Sequence, residues 1–115
     1  MTEIELDSVT VVLLRWGDRA HEYSEEELDA LQEQHLGFLQ RMRDQGHLLA
    51  AGPFNGQPEI EWRGFAFYRV SPEEAVRLAE QDPSVQAGRM RVEAWTWYFK
   101  RGEIAFPATG RPAKE

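Results

Sequence analysis

Read for alternation alone, the chain divides into four short segments that alternate and two longer ones with helical periodicity. "SVTVVLLRW" (8–16) is β-branched and apolar on both alternating sides, which predicts a strand with neither face in water. "SEEELDALQEQHLGFLQRMRDQG" (24–46) carries Leu28, Leu31, Phe38, Leu39 and Met42 as a stripe at helical spacing. Its punctuation is strong. Ser24 and Glu27 make a capping box, acids fill the first turn, and Gly46 stands where the helix should stop. "HLLAAGPF" (47–54) predicts a second strand running into a Gly-Pro turn, and Asn55-Gly56 opens a loop. "EWRGFAFYRV" (61–70) alternates and is rich in aromatics, predicting a third strand. "SPEEAVRLAEQD" (71–82) predicts a second helix with Ser71 as cap, Pro72 at the first helical position and Glu74 closing a capping box. That helix is expected to run to Asp82, because the residue before Pro83 is pushed out of helical geometry. "MRVEAWTWYFK" (90–100) predicts a long fourth strand.

The order β-α-β-β-α-β predicts an α+β, ferredoxin-like fold: a four-stranded antiparallel sheet with two helices on one face. The second face is the informative one. Trp95, Trp97 and Phe99 point one way on strand four and Val92, Ala94, Thr96 and Tyr98 the other. On strand one, Val9, Val11 and Leu13 and the alternate set Val12, Leu14 and Trp16 are both largely apolar. A sheet with one wet face should alternate apolar with polar, and these strands do not. Two helices cover one side only, so a second copy of the sheet is expected over the other, in a face-to-face homodimer. The rival reading is a monomer with an aromatic ligand platform, as in RNA-binding domains of this topology. Arg63-Gly64-Phe65-Ala66-Phe67 matches the start of such a motif, but Tyr68 stands where valine is expected. The net charge of −7 also argues against a nucleic-acid partner.

The 115 residues suit one domain. It is expected over residues 1–106, followed by a flexible tail at 107–115. The longest apolar run, Val11 to Leu14, is far below the roughly 20 residues of a membrane span. "MTEIELDSVT" has neither the basic nor the apolar region of a signal peptide, so no membrane partner and a cytoplasmic location are expected. With no cysteine there is no thiolate nucleophile and no sulfur-based zinc site.

Two titratable residues stand out. His35 lies four residues after Leu31 and four before Leu39, inside the apolar stripe of the first helix. Asp82 follows Ala75, Leu78 and Ala79 on the inward face of the second. A carboxylate at a helix C-terminus meets unpaired carbonyls and the negative end of the macrodipole, an unfavourable place unless a cation is near. His35 is the expected cation. Such a carboxylate would fix the tautomer and orientation of the imidazole and make it a better base near neutral pH. The alternative is a satisfied His-Asp pair that only locks two helices together. Arg15 and Trp16, ending strand one, are candidates for holding a substrate carboxylate, with a surface salt bridge as the other reading of Arg15. Gly52 and Pro53, closing strand two, and Ser84, after Asp82-Pro83, complete the candidate substrate-binding set; shaping the backbone and a plain turn are the respective alternatives. His21 and His47 do not combine with His35 in a metal-binding spacing, and no metal or cofactor is expected.

The ordered set "QHLGFLQRMRDQGHLLAAGPF", "SPEEAVRLAEQDP" and "VEAWTW" resembles the YCII-related (YciI-like) family of the dimeric α/β-barrel superfamily, over roughly residues 9–100. The resemblance implies a ferredoxin-like protomer, a sheet-to-sheet dimer, and a His-Asp active site at His35 and Asp82. Relatives include muconolactone isomerase and chloromuconolactone dehalogenase, which act on small lactones by proton transfer without metal or organic cofactor. Ser84 stands where the family usually carries an aromatic, which would open or polarise the pocket wall. The resulting expectation is a cofactor-independent isomerase or lyase acting on a small, anionic, cyclic metabolite such as a lactone. A non-catalytic dimeric module that binds a small molecule or a protein, with a structural His-Asp pair, is the alternative.

Overall fold

The computed structural model describes residues 4–55 and 61–106; the predicted tail at 107–115 lies outside them. The chain forms β1 (Leu6–Trp16), α1 (Glu25–Asp44), β2 (Leu48–Pro53), β3 (Trp62–Tyr68), α2 (Pro72–Ala79), α3 (Pro83–Gln86) and β4 (Met90–Lys100). The strands make one sheet in the order β2-β3-β1-β4, every neighbouring pair antiparallel. This is the expected α+β, ferredoxin-like arrangement, with the long pairing of β1 and β4 at one side.

The helix signals act where the residues are. Ser24 accepts from the Glu27 N–H at 3.1 Å, while the Glu27 carboxylate accepts from the Ser24 N–H at 2.8 Å. A cap of this kind stabilises a helix by about 1 kcal/mol. Gly46 then turns the chain at φ 82, a backbone region that disfavours a side chain. Ser71 caps α2 by accepting from the Glu74 N–H at 3.2 Å, and the Glu74 carboxylate pairs with Arg77.

Helix two is shorter than expected. It ends at Ala79, with Glu80 as its cap, and Asp82 does not belong to it. Asp82 is the N-cap of a third, four-residue helix, with Pro83 at its start. A third helix of a single turn is added to the expected two, and the expectation of a carboxylate at a helix C-terminus falls. Asp82 stands at the favourable, positive end of a helical turn.

The core between sheet and helices joins Val12, Ala66, Tyr68 and Leu48 to Phe38 and Met42 of α1 and to Ala75, Leu78 and Ala79 of α2. Full burial of a side chain such as Phe38 or Met42 contributes roughly 1.5–3 kcal/mol. Thr10 is buried among them and satisfied, its hydroxyl donating to the Val70 carbonyl at 2.5 Å. On the opposite face Val9, Val11 and Phe99 form a second cluster with Leu13, Leu49, Phe65, Phe67 and Phe106. Trp97 stacks on Phe67 there, yet remains 42% exposed, and Trp95 is 61% exposed. No helix among the described residues is long and apolar enough to cross a membrane.

Candidate active site

Asp82 and His35 meet between α1 and α3. The imidazole Nδ1 is 2.5 Å from Asp82 Oδ2. The second carboxylate oxygen, Oδ1, accepts from both the N–H and the hydroxyl of Ser84, each at 2.9 Å. Asp82 is thus almost fully buried but has every oxygen engaged, as a buried carboxylate requires. An ionised carboxylate only accepts, so Nδ1 must carry the proton of a neutral ring and the lone pair lies on Nε2. His35 lines a cavity of about 330 Å³ that opens between α1 and the end of the sheet where β1 and β2 finish and β3 and β4 begin. Buried Tyr68 feels the same carboxylate: burial and, next, the negative charge of Asp82 push the pKa of its phenol up to about 12.

Two local devices hold this end of the sheet together. Gly17 packs directly on the turn after α3: a Cβ there would meet the Gly88 carbonyl oxygen at 2.3 Å. That approach lets the Gly17 N–H bond the Arg89 carbonyl, and the Arg19 N–H the Gly88 carbonyl, both at 2.9 Å. The second device is a bulge. Leu14 pairs with Gly64 but Arg15 pairs with Trp62, so the register between β1 and β3 shifts by one residue at Arg63. A bulge re-aims side chains. Arg63 here lies over the Trp16 ring at 4.3 Å, on the cavity side, while Trp62 turns to the open face beneath Arg15 at 3.8 Å.

Of the residues singled out in the sequence, His35, Trp16, Gly52, Pro53 and Ser84 line the cavity. Asp82 stands behind His35 rather than on the wall. Arg15 is not brought to the site. It projects from the other face of β1, with ion pairs to Glu61 at 3.5 Å and to Glu93 at 3.3 Å, and so is not placed to hold a substrate in this cavity, contrary to the expectation. Neighbouring residues on a strand point to opposite faces, so Arg15 and Trp16 could not both serve one cavity. The arginines that do line it are Arg43, Arg63 and Arg89. Arg43 had a readable signal, since it lies four residues beyond Leu39 and eight beyond His35 on α1. Arg63 did not, because its orientation depends on the bulge. Arg89 donates to the Ala20 carbonyl and lies over Trp16 at 4.1 Å. Burial and the nearby Arg63 lower the pKa of its guanidinium from the ordinary arginine value.

His21 packs edge-on against Trp16 at 5.1 Å. Among the described residues no group of three or more His, Asp or Glu side chains converges as a metal site would require. No curated protein matches the chain. The family model of the YCII-related domain matches residues 11–97, a stretch that begins within β1, ends within β4 and holds His35, Asp82 and all three cavity arginines. On that match the chain belongs to the YCII-related domain family.

Proposed function

We propose that the protein is a cofactor-independent enzyme that moves a proton on a small, anionic, cyclic metabolite such as a lactone, by isomerisation or elimination. One observation carries the reading: an imidazole fixed through Nδ1 to a buried carboxylate at 2.5 Å also forms part of a cavity wall. A pair that served only to lock helices would need no cavity beside it. In the proposed reaction His35 Nε2 takes a proton from carbon next to a carbonyl, and the bonding electron pair moves into the enolate. In isomerisation the same nitrogen returns the proton to another carbon; in elimination a leaving group departs with the pair. Asp82 holds the tautomer and stabilises the imidazolium that forms. General acid-base assistance of this kind accelerates a reaction by about 10²–10⁴-fold.

The same reading takes the active form as a homodimer joined through the open sheet face, supported by the exposed Trp95 and Trp97 beside an apolar cluster. It places the protein in the cytoplasm, which cell fractionation would check. Catalysis is tested by deuterium uptake from D₂O into a panel of enolisable lactones and carboxylic acids, followed by proton NMR. Uptake by the wild type that disappears in a folded His35→Gln variant is the expected result. A panel without exchange, or exchange unchanged in His35→Gln, removes the reading.

A further inference from the structure

The charge on the cavity wall is one-sided. Among the described residues Arg43, Arg63 and Arg89 line it and no Asp or Glu does, while the Asp82 carboxylate behind His35 is taken up by the imidazole and Ser84, in a chain whose net charge is −7. On the open face of that end of the sheet, Glu61 and Glu93 are committed to Arg15 and Arg91. Among the described residues no carboxylate reaches Arg43 or Arg89; the partners of the Arg89 guanidinium are a backbone carbonyl and an indole. Bringing like charges into a partly enclosed space costs free energy, and an anionic ligand would offset that cost.

The cations also fall into two groups. Arg63 and Arg89 share Trp16, the last residue of β1, at the end where α1 starts. Arg43 lies in the last turn of α1, and its charge is felt by the Tyr68 phenol at the far end of β3. Eight residues of helix separate His35 from Arg43, about 12 Å of axial rise. Long helical side chains lean back toward the N-terminus, which is the direction of His35 from Arg43. His35 therefore lies between two cationic poles.

We infer that the cavity takes a small dicarboxylate, one carboxylate at the Arg63–Arg89 pole, the other at Arg43, with the carbon chain passing His35. This rests on taking the cavity as the substrate site and concerns what is held rather than what His35 does to it. The test is isothermal titration calorimetry on the full chain with succinate, glutarate and adipate, each against the monocarboxylate of equal carbon number. At least one diacid is expected to bind 10-fold or more tightly than its matched monoacid, with the difference shrinking in high salt. Arg43→Gln should abolish that preference, Arg43→Lys should restore part of it, and His35→Gln should leave it in place. Arg89→Gln, checked for folding by thermal melting because it also loses the Ala20 bond, should act like Arg43→Gln from the other pole. Equal binding of matched acids, no binding of any diacid, or a preference that survives both glutamine variants overturns the inference. A preserved preference without deuterium exchange would remove only the catalytic reading, and exchange on monoacids without a diacid preference would remove only this one.

Discussion

Replacing Asp82 by asparagine separates the two jobs of this carboxylate. The Ser84 N–H is a backbone donor in a fixed position, so the oxygen of an asparagine side chain must face it, as Oδ1 does now at 2.9 Å. The amide nitrogen is then left opposite His35 Nδ1, where Oδ2 stands at 2.5 Å in the native protein. A donor faces a donor, and the imidazole must move its proton to Nε2, which takes the lone pair away from the reacting position. The helix cap survives, since asparagine and aspartate cap about equally well. What is lost is a charge-assisted hydrogen bond, about 1–2 kcal/mol more than a neutral one would supply. For a domain of this size that is a fall on the order of 5–10 °C in Tm. Catalysis should fall much further, about 10²–10⁴-fold, because an inverted tautomer cannot serve as the base. Asp82→Ala is the contrast: it removes the cap, worth about 1 kcal/mol, and leaves the ring N–H and the Ser84 hydroxyl without their acceptor, about 1–3 kcal/mol each. The assays are nitrogen-15 NMR of the imidazole, which reports the tautomer, thermal melting, and the exchange reaction. An asparagine variant that keeps Nδ1 protonated, or that exchanges deuterium at the native rate, would refute the reasoning.

Gly64→Ala should cost about 1–3 kcal/mol in urea unfolding, because its Cβ would lie 2.5 Å from the Gly52 carbonyl oxygen and 2.9 Å from Pro53 Cα, both backbone atoms of the paired strand. Gly52→Ala, with nothing within 4 Å of the new carbon, should change stability by no more than about 0.5 kcal/mol; equal costs for the two would contradict the packing. Tyr68 ionises near 12 in the folded protein and near 10 when unfolded, so between those values the folded state holds the extra proton. Its share of stability is complete below pH 10 and is lost as pH rises through about 12, amounting to about 2–3 kcal/mol. Urea midpoints from pH 9 to 12 should therefore fall less steeply in Tyr68→Phe than in the wild type, and parallel curves would count against this. On the open face, Trp97→Asp should convert a native mass near twice the 13.3 kDa chain into the monomer mass in analytical ultracentrifugation; a wild type already monomeric would remove the dimer.

Most of the fold was legible because packing is periodic. The strands at β1, β2, β3 and β4 and the first helix follow from alternation and caps to within a few residues, since each of those elements buries a regular face. The same rule explains the pairing of faces: Val12 and Leu14 meet the helices, while Val9, Val11 and Leu13 meet the aromatic cluster. His35 and Asp82 were legible as polar residues among apolar neighbours, and the structure places them in contact.

What could not be read from periodicity lies at its interruptions, and those interruptions are where the cavity is built. Asp82 before Pro83 stops one helix as readily as it caps another. The two readings differ only in whether the chain has already left α2 at Glu80, as it has here. The electrostatic puzzle of a carboxylate at a helix C-terminus follows from choosing the wrong one; as an N-cap, Asp82 is held by Ser84 and by the helical turn it starts, before His35 is counted. Arg63 shows the same thing on the sheet. Strict alternation puts it with Phe65 and Phe67 on the open face, and one skipped position beside Arg15 turns it to Trp16 instead. A regular helix or strand offers a cavity the side chains of one buried face, which must be largely apolar to fold, and α1 brings His35 and Arg43 from the edge of such a face. A break in the pattern is what lets a charged group enter from a buried side without disturbing the core, and in this chain both the carboxylate behind His35 and a cation in front of it arrive by such breaks.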